Sequence, residues 1–176
     1  MRVCMVLKRP LGTGGMQRQA RAVATRLGEA GVDCSLLAHA RGEAGAELLR
    51  ALPLPISILQ SRTSAVFHAM LARHLLAHRN HYDLIHVHGA GPEALTAALV
   101  GAVARRPVLA KPSTSGPGTR LGRWATRRGQ GPWVRWLLRH GIKGWLAVSE
   151  RTARELVAAG VPEGRVRLVP NGCDII

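Results

Sequence analysis

Two histidines at the end of an apolar run are the first candidates for chemistry. His86 and His88 lie in "YDLIHVHG" (82–89), and its nearly continuous apolar character is typical of a buried strand. Side chains two residues apart on a strand share one face, and open α/β sheets bind their ligands at the carboxyl ends of their strands. His88 is therefore the candidate for contact with a ligand, and His86 is expected to pack in the core. A zinc site is disfavoured, because no third ligand stands at a suitable spacing.

A glycine-rich turn near the amino terminus is the second candidate. In "VLKRPLGTGGMQRQARAV" (6–23) it separates an apolar run from a helix-like run, and glycine amides at the start of a helix commonly bind an anion. A dinucleotide-binding fingerprint is disfavoured, because Gln17 stands where the third glycine belongs and the second strand does not end in an acid. A P-loop is excluded, since no Lys–Ser or Lys–Thr pair follows the glycines. The turn either holds another phosphate or only connects strand and helix.

A polar loop follows the apolar run 107–110 and is expected at the same edge of the sheet. In "KPSTSGPGT" (111–119), Lys111 offers a cation for a phosphate or a carboxylate, and the hydroxyl groups of Ser113 and Thr114 offer hydrogen bonds to a sugar. An ordinary loop rich in glycine, proline and serine is an equally good interpretation.

The charge of the chain is one-sided: 25 basic residues stand against 10 acidic ones, a net charge of +15. Arginine carries nearly all of it, and a GC-rich genome is one explanation of that composition. The distribution points further, because no acidic residue lies between Glu93 and Glu150, a stretch with ten arginines and lysines. Such a surface favours phosphate-bearing partners.

The densest part of that stretch, residues 120–141, combines six arginines with three of the four tryptophans. Tryptophan beside arginine on an amphipathic helix suits the boundary between acyl chains and anionic headgroups. Binding of single-stranded nucleic acid, by stacking of tryptophans on bases and by arginine charge, is a weaker alternative. An ordinary arrangement, with tryptophans in the core and arginines in solvent, is favoured as much as the membrane surface. The residues assigned to this membrane- or anion-binding surface are Arg120, Arg123, Trp124, Arg127, Arg128, Trp133, Arg135, Trp136 and Arg139.

Apolar strand-like runs alternate with helix-like runs along the whole chain, which predicts a parallel sheet with helices on both faces. We therefore expect a single α/β domain of the Rossmann-like class over residues 1–176. No apolar run approaches the length of a membrane span, and the charged, proline-containing start is unlike a signal peptide. We expect a cytoplasmic protein. Strands are expected at 2–7, 32–38, 55–59, 82–89, 107–110, 144–149 and 165–172, and helices at 15–30, 42–52, 62–80, 92–104, 120–140 (interrupted at 129–132) and 149–160.

Three segments resemble, in order and spacing, the amino-terminal half of family 4 glycosyltransferases. They are "GTGGMQRQARAVATRLGEAGVD", "YDLIHVHG" and "AVSERTARELVAAGVPEGRVRLVPNGCD". These enzymes have the GT-B architecture, in which two Rossmann-like domains face a cleft and sugar is transferred from a nucleotide-sugar with retention. The resemblance implies that Gly14 and Gly15 lie beside the donor diphosphate and the acceptor, and that His88 contacts the transferred sugar or the acceptor. Gln17, just after these glycines, is a further candidate for substrate binding. Many members carry Thr-x-His-Gly where this chain has its loop from Lys111, which leaves the acceptor open.

The resemblance also implies what the chain needs from elsewhere. In the family the donor is held mainly by a carboxyl-terminal domain marked by a Glu-x7-Glu pattern, whereas these residues resemble only the amino-terminal half. We expect the acceptor-side half of a retaining hexosyltransferase-like enzyme, weak or inactive by itself, acting on a glycan or lipid-linked acceptor and possessing no cofactor or metal beyond the nucleotide-sugar. The second half is expected as a further domain or a separate subunit. The alternative is a non-catalytic domain that binds anionic membrane or nucleic acid through its basic face.

Overall fold

The computed structural model describes residues 1–8, 15–50, 55–125 and 131–172, and these form one seven-stranded parallel sheet. The strand order is β3-β2-β1-β4-β5-β6-β7. The strands are β1 (Arg2–Leu7), β2 (Asp33–Ala40), β3 (Ile56–Gln60), β4 (Leu84–His88), β5 (Val108–Lys111), β6 (Gly144–Ala147) and β7 (Val166–Leu168).

Helices connect the strands, as parallel pairing requires. They are α1 (Gly15–Glu29), α2 (Glu43–Arg50), α3 (Ser64–Ala77), α4 (Pro92–Ala104), α5 (Arg120–Ala125), α6 (Pro132–Trp136) and α7 (Glu150–Ala158). A π-helical turn at Leu137–Gly141 continues α6, and a 3-10 turn at Glu163–Arg165 precedes β7.

Alternate residues of β1 point to two separate hydrophobic cores, one on each face of the sheet. Met5 and Leu7 pack with small residues of α1 and α2. Val6 belongs to the larger core, which contains Phe67 of α3 and the buried alanines of α4. The chain therefore covers one face while it builds β1 to β3 and crosses to the other face before β4. This reversal is the topological switch point of a doubly wound sheet, where ligands bind beyond the carboxyl ends of the strands.

The Rossmann-like α/β class predicted from sequence is confirmed, and each predicted strand and helix has a counterpart within a few residues. The exception is the segment 120–140, which contains two short helices and a π-helical turn where one interrupted helix was expected. No helix in the described ranges has the length and apolarity needed to cross a bilayer.

The structure corrects the predicted placement of one tryptophan. Trp124 is only 4% exposed and packs in the larger core, so it cannot contribute to an outer surface. It lies on α5 with Leu121, three residues before it, and both side chains turn inward. Farther along the segment, Leu137 is buried where the π-helical turn begins, whereas its neighbour Trp136 is 55% exposed.

Candidate functional site

A cavity of about 320 Å³ lies at the carboxyl ends of β1, β4 and β5. The loops after β4 and β5 and the start of α5 form its walls. We call it the β4–β5 cleft, and its lining residues are Lys8, His88, Gly89, Ala90, Gly91, Pro92, Glu93, Pro112, Ser113, Thr114, Arg120 and Leu121. A parallel sheet places such loops at one edge, and here they follow neighbouring strands.

His88 is the last residue of β4 and the histidine that reaches the β4–β5 cleft. It is 3% exposed, and its ring centroid lies 4.4 Å from that of His86 on the same strand face. Nε2 of both rings is buried without a hydrogen-bond partner in the described structure. Burial lowers the pKa of His88 to about 3, and the neighbouring His86 and Lys111 act in the same direction. The ring is therefore neutral near pH 7 and suited to bonding a hydroxyl group.

His86 is buried beside His88, as expected for a core residue, and burial lowers its pKa to about 4. The described residues contain no group of three or more histidines, cysteines or carboxylates that converges on one point. Within these ranges, no third side chain joins His86 and His88 as a possible zinc ligand.

Lys111 ends β5 in register with His88, so the two side chains start from the same face of the sheet. It is buried, and this burial lowers its pKa. The described residues place no carboxylate within ion-pair distance of its ammonium group. Lys111 is not among the described residues that line the β4–β5 cleft.

Lys8 and Glu93 form a polar pair on the cleft wall. Nζ of Lys8 lies 3.9 Å from Oε2 of Glu93 and donates a hydrogen bond to Oγ of Ser64 at 3.2 Å. Glu93 is buried in the first turn of α4 and folds back over the glycine loop that follows β4. A Cβ on Gly89 would stand 2.7 Å from its carboxylate, and one on Gly91 would be closer still. Side chains at these glycines would displace Glu93.

Hydrogen bonds fix the second half of the loop between β5 and α5. The amide of Gly116, at φ +111°, donates to both carboxylate oxygens of Glu155 on α7, at 2.8 and 3.1 Å. Thr119 Oγ1 donates to the carbonyl of Gly116 and accepts from the amide of Gly122, which caps the start of α5. A Cβ on Gly122 would clash with the Gly116 carbonyl. This packing sets where Ser113, Thr114 and Arg120 meet the cleft.

The structure brings together only part of the predicted set of site residues. His88, Ser113 and Thr114 line one cavity, as their positions after β4 and β5 suggested. Gly15 is the exposed first residue of α1, and Gln17 is half-buried in its first turn. Neither is among the described lining residues of the cleft, and Gly14 falls outside the described residues.

Lys8, Glu93 and Arg120 line the cleft but were missed or placed elsewhere by the sequence analysis. Lys8 directly follows β1, and Glu93 lies in the first turn of α4, five residues after His88. Because β1 and β4 are neighbours in the sheet, these positions could have predicted that both residues lie at the cleft. The sequence analysis assigns Arg120 to the membrane- or anion-binding surface, because the sequence around it does not distinguish it from the other arginines of residues 120–141. The structure instead places it on the cleft wall.

A second basic region lies on α6 and the π-helical turn. Trp133 is 62% exposed and Trp136 is 55% exposed, and Arg135 and Arg139 are exposed beside them. We call these four residues the Trp–Arg surface. Trp136, Arg135 and Arg139 line a groove of about 370 Å³ against the end of α7. Arg123 is exposed on α5, while Arg127 and Arg128 fall outside the described residues.

The sequence matches the family model described as Glycosyltransferase Family 4 over residues 13–175. This match includes β4, β5 and α5, which border the β4–β5 cleft, and begins after β1. A comparison with curated proteins gives no match.

Several solved structures share the fold. Anabaena HepE, solved in complex with UDP and glucose, superposes with a TM-score of 0.74 at 17% identity, covering 99% of this chain and 45% of HepE. The UDP-GlcNAc 2-epimerase of Methanocaldococcus jannaschii gives 0.67 at 16% identity, covering 97% and 46%. Acinetobacter baumannii MurG gives 0.63 at 18% identity, covering 98% and 46%. The chain thus spans less than half the length of each of these proteins.

Proposed function

We propose that this chain, which belongs to Glycosyltransferase Family 4, forms the acceptor-side half of an enzyme that transfers a sugar from a nucleotide-sugar with retention. The observation that carries the proposal is the position of His88 in a cleft at the switch point of the sheet. A neutral imidazole in that position can hydrogen-bond a sugar hydroxyl without repelling a developing positive charge on the transferred sugar.

We place the donor diphosphate beside the glycine turn, near Gly14, Gly15 and Gln17. Apart from its chain neighbours and the backbone of α1, no atom of the described residues lies within 4 Å of the point where a Cβ of Gly15 would stand, which supports the approach of a ligand to the backbone at the start of α1. HepE was solved with UDP-glucose, which supports a nucleotide-sugar as the donor here. No other cofactor and no metal is part of this proposal.

The acceptor, a glycan or a lipid-linked sugar, is placed in the β4–β5 cleft. Ser113 and Thr114 present their hydroxyl groups to it from the loop after β5. Lys111 ends β5 in register with His88, and we assign its ammonium group to a phosphate or carboxylate of the acceptor.

Charge stabilisation of the leaving nucleoside diphosphate requires a second α/β domain that faces this one. The chain covers under half of each structural neighbour, which supports a two-part enzyme. The second part is a continuation of the same polypeptide or a separate subunit.

The test uses the longest reading frame that contains these residues, together with the 176-residue chain alone. Release of nucleoside diphosphate is measured with a panel of nucleotide-sugars and a membrane-extract acceptor. The expected result is turnover by the longer protein that His88→Ala abolishes, and at least ~100-fold slower turnover by the chain alone, which lacks that charge stabilisation. His81→Ala, a change at an exposed histidine outside the cleft, is the matched control. Equal turnover by the isolated chain contradicts the proposal of a half-enzyme.

The Trp–Arg surface favours a role at a membrane, and we propose that it binds the anionic inner face of the cytoplasmic membrane. Two tryptophans exposed by more than half their area beside two arginines form the arrangement that prefers the lipid boundary. This surface would hold the domain at the membrane that contains a lipid-linked acceptor. It would equally serve a non-catalytic domain, which is the alternative function.

Vesicle sedimentation tests the membrane proposal. Vesicles with phosphatidylglycerol should retain the protein, and vesicles of phosphatidylcholine alone should not. The double change Trp133→Ala and Trp136→Ala should abolish retention, whereas Arg73→Gln on exposed α3 surface should leave it unchanged. Equal retention of the double variant contradicts the role of this surface. Retention without sugar transfer by the longer protein favours the non-catalytic alternative.

A further inference from the structure

The β4–β5 cleft has more positive charge than its own carboxylate compensates. Two cations, Lys8 and Arg120, line it together with the single carboxylate of Glu93. Lys8 is already engaged, through its hydrogen bond to Ser64 and its contact with Glu93. Arg120 is exposed, and the described residues offer no carboxylate within 4.0 Å of its guanidinium group. One cation of the cleft is therefore available to a ligand.

Arg120 starts from a fixed backbone position. It is the first residue of α5, whose start is capped by Thr119 and packed against the carbonyl of Gly116. Leu121 and Trp124 anchor the helix in the core. The guanidinium group thus projects from a rigid support at the cleft wall, which lowers the entropic cost of binding a ligand.

A neutral sugar does not need this cation. The uncharged ring of His88 and the hydroxyl groups of Ser113 and Thr114 already provide hydrogen bonds for sugar hydroxyls. A guanidinium group instead matches the planar, bidentate recognition of phosphate or carboxylate. Phosphate is favoured over carboxylate because its larger negative charge is also attracted at longer range by Lys8, which lines the same cavity although Ser64 and Glu93 are its direct partners.

We propose that Arg120 binds a phosphate group carried by the acceptor, so that the enzyme glycosylates a phosphorylated sugar or a lipid-phosphate sugar. This inference rests on the proposed function, because it assigns the β4–β5 cleft to the acceptor. A phosphate of the donor diphosphate is the other source of the same chemistry, and the test separates the two.

Titration of the ¹⁵N-labelled 176-residue chain, followed by NMR chemical shifts, tests the inference directly. The probes are glucose 1-phosphate, glucose as its uncharged counterpart, and UDP. Glucose 1-phosphate should bind at least ~10-fold more tightly than glucose, and Arg120→Gln should remove about that factor, as expected for one charge-assisted contact. Binding of UDP should not change. Arg123→Gln, on the same helix but outside the cleft lining, should leave all three affinities unchanged. The spectra themselves show whether each variant is folded.

Three outcomes overturn the inference. Equal affinity of the wild-type chain for glucose 1-phosphate and glucose, or binding of neither, means that the cleft does not select phosphate. An equal loss in Arg123→Gln means that general surface charge is responsible. Loss of UDP binding in Arg120→Gln assigns the arginine to the donor. Any of these leaves the proposed function standing if the longer protein transfers sugar in a His88-dependent manner, and failure of that transfer is seen in the separate assay.

Discussion

The β4–β5 cleft and the Trp–Arg surface both contain arginines from the same acid-free stretch of sequence, yet the two regions are constructed in opposite ways. In the cleft, strand register fixes the position of His88, and the hydrogen bonds of Thr119 fix the backbone from which Arg120 reaches the cleft wall. The Trp–Arg surface consists of exposed side chains on one short helix and the turn that follows it. One region is preorganised, and the other is available for contact.

This difference determines how charge acts in each region. In the cleft, burial, with smaller contributions from His86 and Lys111, lowers the pKa of His88 to about 3. On the Trp–Arg surface, the arginines are surrounded by water and their interactions are screened within roughly 10 Å. A single charged residue can therefore determine specificity in the cleft, whereas the outer surface requires several residues to act together.

The largest expected effect separates two tryptophans of the same segment. Trp124→Ala should lower the free energy of unfolding by about 3–5 kcal/mol, because it removes a large side chain from the core. Trp136→Ala should change it by no more than about 0.5 kcal/mol, because that side chain is mostly exposed. Urea unfolding followed by circular dichroism measures both. Similar losses in the two variants would mean that the segment packs as one unit, and the contrast between the two regions would not hold.

The positions of the elements were predictable from sequence because apolar runs and helical periodicity are local properties. The place of His88 was predictable for the same reason, since a strand and its end determine where a ligand can bind. The fold class followed from the alternation of elements and is confirmed.

The division of the arginines and tryptophans was not predictable, because it depends on long-range packing. Trp124 and Trp133 have similar sequence surroundings, and only the contacts of α5 with the core distinguish them. Arg120 reaches the cleft because Gly122 allows α5 to pack against the Gly116 carbonyl. The π-helical turn at 137–141 also lacks a local signal, and it changes which residues of that segment face the core.

Acid should destabilise the cleft more than the Trp–Arg surface. The pKa of His88 is about 3 in the folded protein, against an ordinary value of 6.5, so the unfolded chain binds more protons as the pH falls between these values. Stability is therefore present above pH 6.5 and is lost toward pH 3, by about 2 kcal/mol at pH 5 for this residue alone. Urea unfolding at pH 7 and at pH 5 measures this difference in the free energy of unfolding. In His88→Gln the difference should be smaller than in the wild type by the contribution of His88. The exposed His81→Gln should keep the wild-type dependence. An unchanged dependence in His88→Gln would show that His88 does not titrate as a buried group.

The smallest effect concerns the support that α7 gives to the cleft. The Glu155 carboxylate accepts a hydrogen bond from the amide of Gly116 and another, at 3.3 Å, from Nε of Arg151. The first bond is part-buried and holds the loop, whereas the second is exposed to solvent. Glu155→Gln should cost about 1 kcal/mol, because a charged acceptor for a part-buried amide is lost. Arg151→Gln should cost no more than about 0.5 kcal/mol, as an exposed pair four residues apart on a helix contributes little. Hydrogen exchange of the Gly116 amide should accelerate only in Glu155→Gln. If it does not, the bonds of Thr119 hold the loop by themselves, and the preorganisation of the cleft arises within the loop and not from its contact with α7.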